Sequence, residues 1–170
     1  NLNTGSLLAF VTGSDGTGSG FVATWYDQSG NNRHATQTTT TLQPLLVLSG
    51  SIITSSYGRP SVKFDGVDDV MSTSTITVTA HSIFSVQQNI SGKSIDVIFG
   101  SSGDHYYSNN ISSNLVVTNV AGNQDIFNGG FSTTSSLLSY HRNGSASGTA
   151  FRNTGSLSKN TSGITTQTAV

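Results

Sequence analysis

Glutamate and cysteine are both missing from this chain, and all eight acidic residues are aspartate. Without cysteine there are no disulfide staples, thiolate metal sites or thiol nucleophiles. Without glutamate, a good helix former that dominates most sequences is gone. Charge of either sign is scarce: 9% of residues are charged and 34% hydrophobic, against about 25% and about 45–50% in an average globular domain. Seven Lys and Arg with no basic cluster argue against nucleic acid, because phosphate neutralisation needs cations. No apolar run approaches the roughly 18 residues of a membrane span, which predicts no membrane insertion. There is no signal peptide in the sequence, as expected of any mature or partial chain.

What the chain has instead is small and polar: 52 Ser and Thr, 19 Gly and 14 Asn among 170 residues. Such composition suggests disorder only when it comes with high net charge, and the net charge is −1. The apolar residues also cluster into short β-branched runs. The chain is therefore expected to fold, as a single domain spanning 1–170 with no linker and no internal repeat. Four N-x-S sequons, at Asn89, Asn110, Asn143 and Asn160, match what this many Ser and Thr give by chance.

Sustained 3.6-residue periodicity is absent, and short β-rich runs separated by turn signals recur. Strands are predicted at 7–11, 21–26, 44–48, 51–54, 61–64, 75–79, 82–87, 94–99, 114–118, 137–142 and 146–151. Alternation places Val62 and Phe64 inward with Ser61 and Lys63 outward, and likewise Ile76 and Val78 inward between threonines. Asn143-Gly144 fits a type I′ hairpin turn, residues 13–20 a glycine-rich loop, and Ser29-Gly30-Asn31-Asn32 a tight turn. The threonines at 38–41 suit extended chain. The pattern is that of an all-β sandwich or barrel.

The most distinctive stretch is TWYDQSGN at 24–31, followed by Gln43-Pro44-Leu45-Leu46-Val47 and then GRPSVKFDGVDD at 58–69. This ordered set, spanning roughly residues 5–88, resembles bacterial and phage-associated laminin-G-like domains of the concanavalin A-like lectin/glucanase superfamily. Tyr140-His141-Arg142-Asn143-Gly144 resembles a later hairpin of that family more weakly. The resemblance implies a two-sheet antiparallel jelly-roll sandwich, with the two aspartate-bearing segments as structural corners and Trp25 in the core. It also implies a strand before the first segment and closing strands after the last. Either the domain is abbreviated or those strands come from elsewhere. Open sheet edges and an uncharged surface then predict homo-oligomers or a larger assembly.

Four chemistries can be weighed. Glucanases of this fold, and arabinofuranosidases with a TWYDQS-type segment, use paired carboxylates of which at least one is glutamate. None exists here, and Asp68 and Asp69, adjacent on a strand, would point to opposite faces. No enzyme is expected. Calcium is the candidate ion, with Asp65, Asp68 and Asp69 as oxygen ligands; the plainer reading is a turn in which aspartates accept backbone amides and Gly66 takes an unusual dihedral. For a glycan, His105, Tyr107 and Asn109 offer an aromatic face with polar neighbours. Serine triads find no support, because no G-x-S-x-G motif occurs. The expected function is a non-catalytic carbohydrate-binding or adhesion module on a secreted, cell-surface or virion appendage protein. The alternative is a self-assembling structural subunit without a glycan ligand, and a glycoside hydrolase relative comes third.

Overall fold

The computed structural model describes residues 3–76, 80–89, 95–100, 105–109, 114–118, 124–128, 132–142, 148–153 and 155–158; for 95–99, 105–109, 114–118 and 124–126 it describes the backbone. These residues form one α-helix, one 3-10 turn and thirteen strands, and every sheet is antiparallel. The chain divides into two compact units, Asn1–Ile76 and Thr77–Val170.

The first unit departs from expectation at once. Residues 7–11, predicted as a strand, lie in helix α1, Thr4–Thr12. The reason is local: Leu and Ala favour helix, and the Asn3 side chain caps the first turn by accepting from the Ser6 amide at 3.0 Å. The helix buries none of its residues, and Phe10 is 87% exposed. The run 21–26 divides into β1, Gly20–Phe21, and β2, Thr24–Trp25. β2 pairs with β3, Ala35–Thr36, while β1 pairs with β4, Leu45–Leu48, and β4 with β5, Ser51–Ile52. The threonine patch is not extended. It enters a 3-10 turn, Thr40–Leu42, closed by the Leu42 amide donating to the Thr39 carbonyl at 3.0 Å.

Few side chains are buried in this unit; among its described residues, Val47 and Pro44 are. Polar ties do much of the holding. Leu45 and Lys63 exchange backbone bonds at 2.9 and 2.8 Å, as do Thr36 and Ser72 at 2.7 and 2.9 Å. The predicted 61–64 strand is thereby reduced to a single bridge. Val62 is half-buried but Phe64 is 40% exposed. Ile76, expected inward, is 48% exposed, and residues 77–79 lie outside the described residues.

The second unit is a more regular β structure. β7, Ile95–Gly100; β8, His105–Asn109; β9, Asn114–Thr118; and β10, Gln124–Asn128 form a four-stranded meander in chain order. A second four-stranded sheet has the order β13-β12-β11-β6, from Gly155–Ser156, Thr149–Arg152, Ser136–Arg142 and His81–Gln87. β11 and β12 pair from Leu138 opposite Arg152 to His141 opposite Thr149, as a hairpin requires. Its predicted Asn143-Gly144 turn lies outside the described residues.

Strand alternation gives that second sheet two unlike faces. Leu138, Tyr140 and Ala150 are buried with Phe127 from β10, flanked by Ile83 and Leu157. Phe127 meets Tyr140 edge-on, with ring centroids 6.0 Å apart. On the opposite face Phe84 is 65% and Val86 80% exposed, and the His141 ring stands edge-on to both Phe84 and Phe151. Among the described residues, no helix is long and apolar enough to cross a membrane.

The core is sensitive in both directions. Leu138→Ala leaves a cavity beside Tyr140 and is expected to lower unfolding free energy by about 2–5 kcal/mol. A methyl group added at Gly148 would overlap the Tyr140 ring, so Gly148→Ala is expected to cost about 1–3 kcal/mol by overpacking. Phe10→Ser, on the exposed helix, should stay within about 0.5 kcal/mol of wild type. Urea unfolding of the three variants checks this order.

Candidate functional site

The TWYDQSGN segment forms a hairpin loop between β2 and β3, which pair Trp25 with Ala35 and Thr24 with Thr36. Its geometry is set by Asp27. Oδ1 accepts the Ser29 amide at 2.8 Å and Oδ2 accepts the Arg33 amide at 3.0 Å, so one side chain spans the loop. The Asp27 amide donates to His34 Nδ1 at 3.1 Å, which places the His34 ring proton on Nε2 when neutral. The Tyr26 ring then stands edge-on to His34 at 5.0 Å. Ser29 Oγ accepts from Asn31 Nδ2 at 2.9 Å, and positive φ values of 82° at Gly30 and 54° at Asn32 complete the turn.

Hydrogen bonds from the Ser29 hydroxyl, then from the amides of Arg33, Ser29 and Asn31, hold the Asp27 carboxyl at about 2, below its ordinary 3.8. The carboxylate stays ionised, and its charge is met by donors from its own loop.

Beside this loop lies an open cleft of about 450 Å³, within the roughly 300–1,000 Å³ of small-ligand sites. Trp25, Tyr26, Gln28, Arg33, Thr73 and Ile76 line it. The segment carrying Thr73 and Ile76 is tied down by Thr73 Oγ1 donating to the Arg33 carbonyl at 2.9 Å and Gln37 Nε2 donating to the Val70 carbonyl at 2.9 Å. Trp25 is not the core residue that the family pattern implies. It is 55% exposed, and Tyr26 63%. A two-residue strand paired to one neighbour leaves both rings uncovered along the cleft.

The expected corner at 65–69 is present. Asp65 Oδ1 accepts the amides of Val67, Asp68 and Asp69 at 2.7, 3.2 and 3.3 Å, Asp69 Oδ2 accepts the Asp65 amide at 2.8 Å, and Gly66 has φ 72°. This is the amide-accepting turn of the plainer reading. The three carboxylates also bring one oxygen each within 4.8 Å of one another, the spacing of a group able to take a cation among the described residues.

His105, Tyr107 and Asn109 occupy alternate positions of β8, opposite Thr118, Val116 and Asn114 of β9. Their side chains lie outside the described residues. Sequence reasoning did not pick out Arg33, Gln28, Thr73 and Ile76 as neighbours of the Trp25-Tyr26 pair. The available signal was the aromatic doublet followed directly by Asp27 and Gln28 and, five residues after Gln28, by Arg33.

Comparison with protein-family models, with curated proteins and with solved structures finds no match to this chain.

Two measurements follow from the aspartate loops. The depressed Asp27 value means that the folded state binds fewer protons than the unfolded one between 3.8 and about 2. Its contribution is therefore complete above that window and lost as pH falls through it. The melting-temperature gap between wild type and Asp27→Asn is expected to close from about pH 5 to about pH 2; a gap constant with pH would show that the charge does not order the loop. At the second loop, the amide bonds already formed predict a melting midpoint that a chelator leaves unchanged. A rise with added calcium, abolished in Asp68→Asn, would place an ion there.

Proposed function

We propose that this chain is a non-catalytic carbohydrate-binding or adhesion module, a concanavalin A-like, laminin-G-like jelly-roll sandwich displayed on a secreted, cell-surface or virion appendage protein. The observation that carries the reading is the cleft in which the only tryptophan and Tyr26 stand half or more exposed beside hydrogen-bonding groups. Two adjacent exposed rings beside hydrogen-bonding groups suit a saccharide, because sugar rings take a flat apolar face with polar groups at its rim. The TWYDQSGN and FDGVDD segments support the same family reading, and the missing glutamate supports the absence of catalysis. The cleft is accordingly the preferred site in place of the residues on β8.

One observation favours the second reading, a self-assembling structural subunit. The sheet face bearing Phe84, Val86 and Leu137 is apolar and exposed, at 65%, 80% and 40%, and the near-neutral chain offers little charge to repel a copy of itself.

A glycan array with the whole chain separates the two. The expected result is binding to a restricted set of glycans, weakened about tenfold or more by Trp25→Ala, as truncation of a central aromatic anchor does. No glycan binding, with concentration-dependent oligomers in sedimentation that Val86→Lys dissolves, would replace it with the assembly reading.

A further inference from the structure

We propose that the Trp25-Tyr26 cleft selects an anionic saccharide, one carrying a carboxylate or sulfate, and that Arg33 is the residue that reads the charge; this rests on the carbohydrate-binding reading above. Two charged residues line the cleft, Asp27 and Arg33, and the loop treats them differently. The Asp27 oxygens accept the amides of Ser29 and Arg33, so its negative charge is solvated by neutral donors of its own loop and any anion must be held on the Arg33 side of the cleft. The Arg33 backbone is equally committed: its amide donates to Asp27 and its carbonyl accepts from Thr73. Its guanidinium, by contrast, has no hydrogen-bond or ion-pair partner among the described residues. The residue is thus fixed at both backbone ends on the wall of the cleft, with no partner for its side chain among the described residues.

A guanidinium offers five donors in a planar fork that matches a carboxylate or sulfate with two parallel bonds. A neutral sugar hydroxyl presents one oxygen and no charge, and uses that fork poorly. The aromatic wall is indifferent to charge, since stacking takes the apolar face of any pyranose. Affinity is therefore divided by chemistry: Trp25 and Tyr26 bind the ring, and Arg33 discriminates between acid and neutral forms. The remaining polar residues of the cleft, Gln28, Ser29 and Thr73, are uncharged, so they do not distinguish an acid from its neutral form by charge.

The test titrates the whole chain, by calorimetry or amide chemical shifts, with trigalacturonate and with its methyl ester, which keeps the rings and removes the charge. A second arm uses a sulfated disaccharide and its desulfated form. The acid or sulfate is expected to bind about two- to fivefold more tightly than its neutral counterpart at low salt, the range of one exposed charge-assisted contact, with the difference shrinking as salt is added. Arg33→Gln should erase the difference and leave neutral binding intact, Arg33→Lys should restore part of it, and Trp25→Ala should weaken both forms alike. Preference for only one of the two anions identifies the source. Equal, Trp25-dependent binding of acid and ester overturns the charge selection but keeps the carbohydrate reading. Absence of binding to all four probes and to a broad glycan array overturns both. Acid binding that Trp25→Ala leaves unchanged would show a surface ion contact and overturn the assignment to the cleft.

Discussion

A carboxylate that accepts several amide protons within one short loop gives that loop a fixed shape without a hydrophobic core beneath it. The first unit uses the device twice. Asp27 spans from Ser29 to Arg33, and Asp65 gathers the amides of three residues that follow it. Few side chains there are fully buried, so these bonds and the isolated bridges at Leu45–Lys63 and Thr36–Ser72 carry much of the order. The same constraint explains why aspartate serves and glutamate is dispensable: the shorter side chain returns to amides two to six residues away. The cleft depends on it, because Asp27 sets where Tyr26 and Arg33 stand relative to Trp25.

The second unit is ordered by packing. Tyr140 and Leu138 are fully buried on one face of their sheet, with Phe127 edge-on against the tyrosine. Gly148 is needed there because the Tyr140 ring occupies the space of a side chain. The opposite face leaves Phe84 and Val86 in water, a cost that only a covering surface or a use can offset. The two units thus illustrate two ways for a weakly hydrophobic chain to fold, one through local polar closure and one through a small aromatic core.

The functional logic follows the same division of labour. With its carboxyl held at about 2, Asp27 is ionised at neutral pH and has no proton to give there. On the proposed reading the cleft holds a sugar ring and reads its substituents. Binding of that kind needs rigidity in the loop rather than reactivity in any group, and amide-saturated turns supply rigidity.

Much of the second unit was legible in the sequence. The runs at 82–87, 94–99, 114–118 and 137–142 appear as strands within a residue or so, because period-two alternation of β-branched and aromatic residues is a local property of extended chain. The aspartate turn at 65–69 was legible for the same reason, its carboxylates reaching only their own neighbours. Residues 7–11 misled because their apolar run fits strand or helix equally, and the Asn3 cap decided for helix. What the sequence by itself determined is therefore the all-β class, the turns, and the chemical inventory that lacks glutamate. The tertiary structure alone decided that Trp25 stands exposed rather than buried, that Ile76 faces the cleft rather than a core, and that Arg33 lies beside both. Exposure and neighbourhood depend on which segments cover a given strand, and those pairings join residues as far apart as Thr36 and Ser72, beyond the reach of any local pattern.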